Sequence, residues 1–117
     1  MDEKQLERAM QLISVAGNAK SMCIESMSIA EKGNIDDAKA KLSEARKTLH
    51  EAHNIQTQWM TDEMNGKKVE KTIMLIHSQD HFMAADIMLT MAEKVINLQS
   101  SIKNLQSTQG ETNGVKI

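Results

Sequence analysis

The chain has 117 residues, 40% hydrophobic and 26% charged, which is one domain's worth of sequence with enough apolar material for a single core. It holds no proline or tyrosine, one tryptophan, one phenylalanine, five glycines and ten methionines, and that poverty in turn and sheet formers excludes an all-β fold. A formal charge of −2, with the 14 basic residues scattered along the chain, excludes a nucleic-acid partner.

The remaining residues are mostly alanine, leucine, methionine, lysine, glutamate and glutamine, all strong helix formers, so the fold class is all-α. Gly33 and Asn65-Gly66 mark two breaks. They predict helices over roughly 3–32, 35–64 and 70–106, an antiparallel up-down-up bundle in which residues 1–106 form one domain. Asn34 with Asp37 three residues on reads as the N-cap of the second helix. Residues 107–117 carry Gly110 and Gly114 without apolar periodicity and are expected to be a loose tail. The lone Cys23, the acidic start Met1-Asp2-Glu3 and a longest apolar run of only Ile73 to Ile76 predict a reducing, cytoplasmic setting without a membrane span.

In the first helix Leu6, Met10, Ile13, Ala16, Ala19, Cys23, Met27 and Ala30 recur at steps of three or four and make one apolar stripe. Cys23 falls inside it and reads as a small buried hydrophobe, with no histidine or phosphate loop beside it. Gly17 weakens the helix by about 1 kcal/mol relative to alanine, which points to close approach by another helix. The second helix repeats the pattern with Ala38, Leu42, Ala45, Leu49, Ala52 and Trp59. His53 and Gln56 interrupt that face where apolar residues are due, either as satisfied polar groups or as lining of a site. His50 points elsewhere and receives no role.

The third helix is apolar nearly all round from Ile73 to Ala92, as expected of a helix surrounded by protein. Met74, His77, His81, Ala84, Met88, Met91, Val95, Leu98, Ile102 and Leu105 form one seam with a seven-residue repeat, and Ile73, Ile76, Asp80, Met83 and Ile87 form a second beside it. Two seams imply two neighbours, the chain's own hairpin and further copies of the chain. The segment HSQDH places His77 and His81 one turn apart on one face, with Asp80 about 60° round the helix in the second seam. A carboxylate and two imidazoles among methionines and isoleucines are costly to bury without partners, so this is where function is sought.

Three chemistries fit such a cluster unequally. Metal catalysis lacks the Glu-x-x-His pairs of carboxylate bundles and the HExxH of zinc hydrolases. Hydrolysis by Ser78 fails because that residue points away from both histidines. A histidine nucleophile that carries a phosphoryl group fits better, with Gln79 and His81 as donors that hold the tautomer or the incoming oxygens.

The stretches VAGNAKS, EKGNIDDAKAKLSEA, EAHNIQTQ and LIHSQDHFM resemble the IIA component of the lactose/cellobiose/chitobiose class of the bacterial sugar phosphotransferase system, over residues 5 to 105. The resemblance implies a homotrimer of three-helix protomers with parallel third helices about a threefold axis. It implies that His77 accepts a phosphoryl group from the phosphocarrier protein HPr and passes it to a cysteine of the IIB component, while the membrane IIC component imports a cellobiose-, lactose- or chitobiose-type disaccharide. His81 and Gln79 match residues beside the phosphoryl site, and His53 and Gln56 are possible lining. Asp80 matches an aspartate that points to the axis and shares one Mg2+ per trimer. Ser78, Phe82 and Ala84 depart from the family's usual glycine or alanine, leucine and threonine. The competing readings are a non-catalytic helical adaptor and a metal-binding bundle.

Overall fold

The computed structural model describes residues 1–116, with side chains described through residue 109. The chain forms three helices, α1 (Glu3–Glu31), α2 (Ile35–Met64) and α3 (Ile73–Lys116), with no strand among the described residues. The all-helical expectation therefore holds.

Each end of the hairpin is written in local hydrogen bonds. Asp2 caps α1 by accepting the Gln5 N–H at 2.8 Å. Helix α1 closes with Gly33 at φ 87°, its N–H on the Ala30 carbonyl and the Asn34 N–H on the Ile29 carbonyl. Gly66, at φ 82°, closes α2 in the same way, with its N–H on Glu63 and the Lys67 N–H on Asp62. This paired closure needs a left-handed residue just past the helix, which is why both breaks carry glycine. Asn34 takes the expected N-cap position of α2, its carbonyl accepting the Ala38 N–H at 3.0 Å, but its side chain makes no capping bond. Helix α3 begins at Ile73, not 70, where the Thr72 hydroxyl accepts the Leu75 N–H at 3.2 Å.

Bonds between helices fix the up-down-up order. Arg8 near the start of α1 pairs with Asp62 near the end of α2 at 2.9 Å, and the Gln5 amide donates to the Lys68 carbonyl at 3.2 Å. At the opposite end the Lys103 ammonium donates to the Gly33 carbonyl at 2.8 Å. Beyond Lys103 the helix passes the α1–α2 turn. The tail expected at 107–117 is helical through Lys116, and Ile117 lies outside the described residues. Its glycines each weaken a helix by only about 1 kcal/mol relative to alanine, and no proline stops it.

The core is built on small residues at seven-residue spacing. Ala9, Ala16, Cys23 and Ala30 of α1 face Ala38, Ala45 and Ala52 of α2, and Ser78, Ala85 and Ala92 of α3 continue the pattern. Leu12, Leu42, Leu49, Leu75, Phe82 and Ile96 fill the alternate positions. Small residues let helices approach, and large ones close the gaps between them. Two core serines avoid an unpaired hydroxyl by donating to the carbonyl three residues back, Ser26 to Cys23 at 2.7 Å and Ser78 to Leu75 at 2.6 Å. Burial also pushes the Cys23 thiol above its ordinary pKa, as fits an inert core residue.

This core corrects three expectations. Leu6 and Met10 are exposed, and the first turns of α1 bury Ala9 and Leu12 instead. Gly17 has nothing within 4 Å of where a Cβ would stand, so no helix of this chain approaches it closely. On α3 neither expected seam is the buried one: the hairpin packs on Leu75, Ser78, Phe82, Ala85, Ala92 and Ile96. The second seam is left on the surface, with Ile73 86% and Ile87 59% exposed.

Candidate functional site

Thr72 sets the start of α3, and the HSQDH segment occupies its second and third turns. Ser78, the second residue of that segment, is fully buried and anchors it to the core, so the residues around it are distributed over the remaining surface of the helix. His77 is exposed and His81 half-buried; their rings meet edge to face with centroids 4.6 Å apart and planes at 78°. In that arrangement one imidazole restrains the other's rotation and leaves His77 open to an approaching reactant.

Asp80 is exposed among the exposed Ile76, Met83 and Ile87. No group of three or more histidine, cysteine, aspartate or glutamate side chains is placed to hold a metal ion among the described residues. A single carboxylate offers too few oxygens for Mg2+, so within one chain the donor set does not make a magnesium site.

Gln79 is not beside His77. Two residues along a helix are about 200° apart, and Gln79 faces α2, where it lines a cavity of about 250 Å³ with Gln56, Trp59 and Leu75. Trp59 is buried beneath the Arg8 guanidinium, 5.6 Å from its ring centroid. His53, exposed on α2, stands 6.1 Å from the Phe82 ring and 6.5 Å from His50, centroid to centroid. These rings border a second groove of about 530 Å³ between α2 and α3, with Arg46, Lys47 and Asp86 on its rim. The structure thus brings His77 and His81 together on one flank of α3 and puts Gln79, Gln56 and His53 on the other. The sequence reading missed Trp59 as a site-lining residue; as the only tryptophan, one turn from Gln56, it was the available signal.

No helix among the described residues is long and apolar enough to cross a membrane. The sequence matches the family described as "PTS system, Lactose/Cellobiose specific IIA subunit" over residues 7–100. It is 34% identical over 102 residues to the lichenan-specific phosphotransferase enzyme IIA component of Bacillus subtilis (strain 168), covering 87% of this chain and 93% of that protein. Its fold is similar to the crystal structure of the PTS cellobiose-specific enzyme IIA from Bacillus anthracis, with a TM-score of 0.85, 32% identity, and coverage of 89% of this chain and 95% of that one. It is also similar to a chain in the solution structures of the IIA(Chitobiose)–HPr complex of the N,N'-diacetylchitobiose branch of the Escherichia coli phosphotransferase system, with a TM-score of 0.72, 28% identity, and coverage of 87% and 99%. An all-helical hairpin with a third helix that bears HSQDH, matched over most of its length in sequence and fold, places this chain in the lactose/cellobiose-specific IIA family of the sugar phosphotransferase system.

Proposed function

We infer that His77 is the phosphoryl carrier of this IIA component. The observation that supports the reading is the exposed His77 imidazole held edge to face on His81 at the start of α3. A neutral ring nitrogen of His77 attacks the phosphorus of phospho-HPr; the new P–N bond forms as the bond to the donor breaks. In the second half a cysteine thiolate of the IIB component attacks the same phosphorus, and His77 leaves as neutral imidazole once its ring regains a proton. Positioning and charge stabilisation supply the rate in such transfers, so an exposed nucleophile and an apolar docking surface around it suit the role. HPr as donor is supported by the chitobiose relative, which was solved in complex with HPr. The cargo is a cellobiose-, lactose- or chitobiose-type disaccharide.

The exposed seam Ile73, Ile76, Asp80, Met83 and Ile87 supports a homotrimer, since an apolar stripe of this length on one helix calls for a protein neighbour. In a threefold arrangement with that seam on the axis, three Asp80 carboxylates meet in an apolar core. There the three Asp80 side chains would hold a shared Mg2+, which would supply the charge that neutralises them, a donor set that no single chain possesses.

Incubation with phosphoenolpyruvate, Enzyme I and HPr, followed by intact-mass measurement, tests the carrier. The wild-type chain and His53→Ala gain one acid-labile phosphoryl group, and His77→Ala gains none. A gain that persists in His77→Ala overturns the assignment.

A further inference from the structure

Helices α2 and α3 each pack chiefly on α1 and touch one another much less, so a groove of about 530 Å³ stays open between them. Its floor is the outer edge of the core, formed by Leu49, Phe82 and Leu89. One wall comes from successive turns of α2 and carries Arg46, Lys47, His50 and His53, and the other is α3 with Asp86. Asp86 stands about 100° round the helix from Ile87 of the exposed seam, on the flank away from His77. Both walls and the floor come from one chain.

The fold does not consume the polar groups of this groove. Arg46 pairs with Glu93 of α3 at its rim, and both side chains of that pair are exposed, so the pair holds Arg46 only loosely. Lys47 and Asp86 take part in no ion pair among the described residues. The His50 and His53 rings stack at 6.5 Å and His53 tilts over Phe82 at 6.1 Å, which orders both imidazoles along the groove. An apolar floor with a few convergent polar groups, in a volume within roughly 300 to 1,000 Å³, is the usual make-up of a small-ligand site.

The two walls define what such a ligand carries. The α2 wall offers ammonium, guanidinium and imidazole donors, whereas Asp86 across from it only accepts. A plain hydrocarbon anion satisfies α2 and leaves the Asp86 carboxylate desolvated and unpaired. A matching ligand has anionic oxygens at one end, hydroxyl donors at the other and a C–H face between them. We propose that this groove binds a sugar phosphate, with the phosphoryl oxygens accepting from Lys47, Arg46 and the imidazoles, the sugar hydroxyls donating to Asp86, and the sugar ring lying on the Phe82 and Leu89 floor. The site is separate from His77 and does not depend on that residue's assignment as carrier.

The test titrates cellobiose 6′-phosphate into the full chain while NMR follows the histidine ring signals, with cellobiose and inorganic phosphate titrated separately. The expected result is a saturable shift of His50 and His53 with a dissociation constant of about 1 mM or tighter, and still signals from His77 and His81. Cellobiose alone and inorganic phosphate alone bind weaker by about tenfold or more, because each satisfies one wall only. Inorganic phosphate that binds as tightly as the sugar phosphate reduces the groove to surface charge and overturns the proposal. A shift confined to His77 and His81, or no saturable shift, overturns it as well.

Two variants separate the walls. Lys47 and Asp86 are both exposed, so Lys47→Ala and Asp86→Ala retain the fold. Each weakens binding of cellobiose 6′-phosphate by about tenfold, and only Lys47→Ala also weakens binding of inorganic phosphate. Wild-type affinity for the sugar phosphate in either variant overturns the site.

Discussion

Helices α2 and α3 pack against the same core and treat their surfaces in opposite ways. On α2 one stripe, from Ile35 through Ala38, Leu42, Ala45, Leu49 and Ala52 to Trp59, is buried, and most of the rest is polar. Helix α3 buries a stripe of the same kind and then exposes Ile73, Ile76, Met83, Ile87, Met91 and Leu98. A chain whose own fold is satisfied by one stripe has no use for more in isolation. The surplus on α3 is a property of what the chain meets, and HSQDH sits where the inner and outer stripes run side by side.

The strongest way to break this contrast between inner and outer surfaces is to truncate one residue on each. Leu12 packs fully buried on the inner side of α1, and Leu12→Ala is expected to destabilise the protomer by about 2 to 5 kcal/mol. Ile87→Ser, on the outer face of α3, leaves the dilute protomer within about 0.5 kcal/mol of wild type but weakens self-association. Denaturant unfolding at low concentration and sedimentation across a concentration series read the two effects separately. Equal loss of protomer stability in both variants would abolish the distinction.

Asp80 sharpens the outer half. If three copies share the seam, Asp80→Leu removes the repulsion between carboxylates along with the metal site, and such replacements are neutral or stabilising by about 1 to 4 kcal/mol. The expected protein stays trimeric, melts no lower than wild type in chelator and no longer responds to magnesium. An Asp80→Leu chain that sediments as a monomer would show that this seam does not face an axis.

How much of this was legible before the structure differs from helix to helix for the same reason. The stripe of α2 could be read residue by residue because its other faces are polar. On α1 the first turns misled: Leu6 and Met10 carry more hydrophobic signal than Ala9, yet close helix contact wants the alanine and leaves Met10 57% exposed. On α3 periodicity could not choose among apolar stripes, and the buried one includes a serine whose hydroxyl is satisfied locally by the Leu75 carbonyl. The pairing of His77 with His81 follows from their spacing alone. The meeting of Gln56, Trp59 and Gln79 depends on how α2 lies against α3, which no single helix encodes.

Gly17 offers a smaller effect that still separates inner from outer surface. A methyl group there meets nothing within 4 Å, so Gly17→Ala removes the helix penalty of glycine without a clash. Stability is expected to rise by about 1 kcal/mol, measured by chemical denaturation of the dilute chain. A fall instead would mean that the flank of α1 is packed more tightly than its surroundings show.

The smallest effect belongs to the polar outside of the hairpin. Asp62 accepts a hydrogen bond from Arg8, with Lys67 3.7 Å away, and these cations hold its carboxyl below the usual carboxylate range, the Arg8 hydrogen bond contributing most. A carboxylate with a lowered folded pKa adds stability above its unfolded pKa, about 3.9 for aspartate, and that stability is lost as pH falls through the folded value. Both side chains are partly exposed, so the contribution is small and screened by salt. Asp62→Asn should therefore converge on wild type only as pH falls below the lowered folded value of this carboxyl, and fall slightly behind it between pH 5 and 7 at low salt. The gap should narrow as salt is added, because an exposed pair works through solvent, whereas the loss in Leu12→Ala should persist at every salt concentration and every pH. A pH-independent deficit in Asp62→Asn would mean that the residue acts by packing the α2–α3 connection and not by its charge.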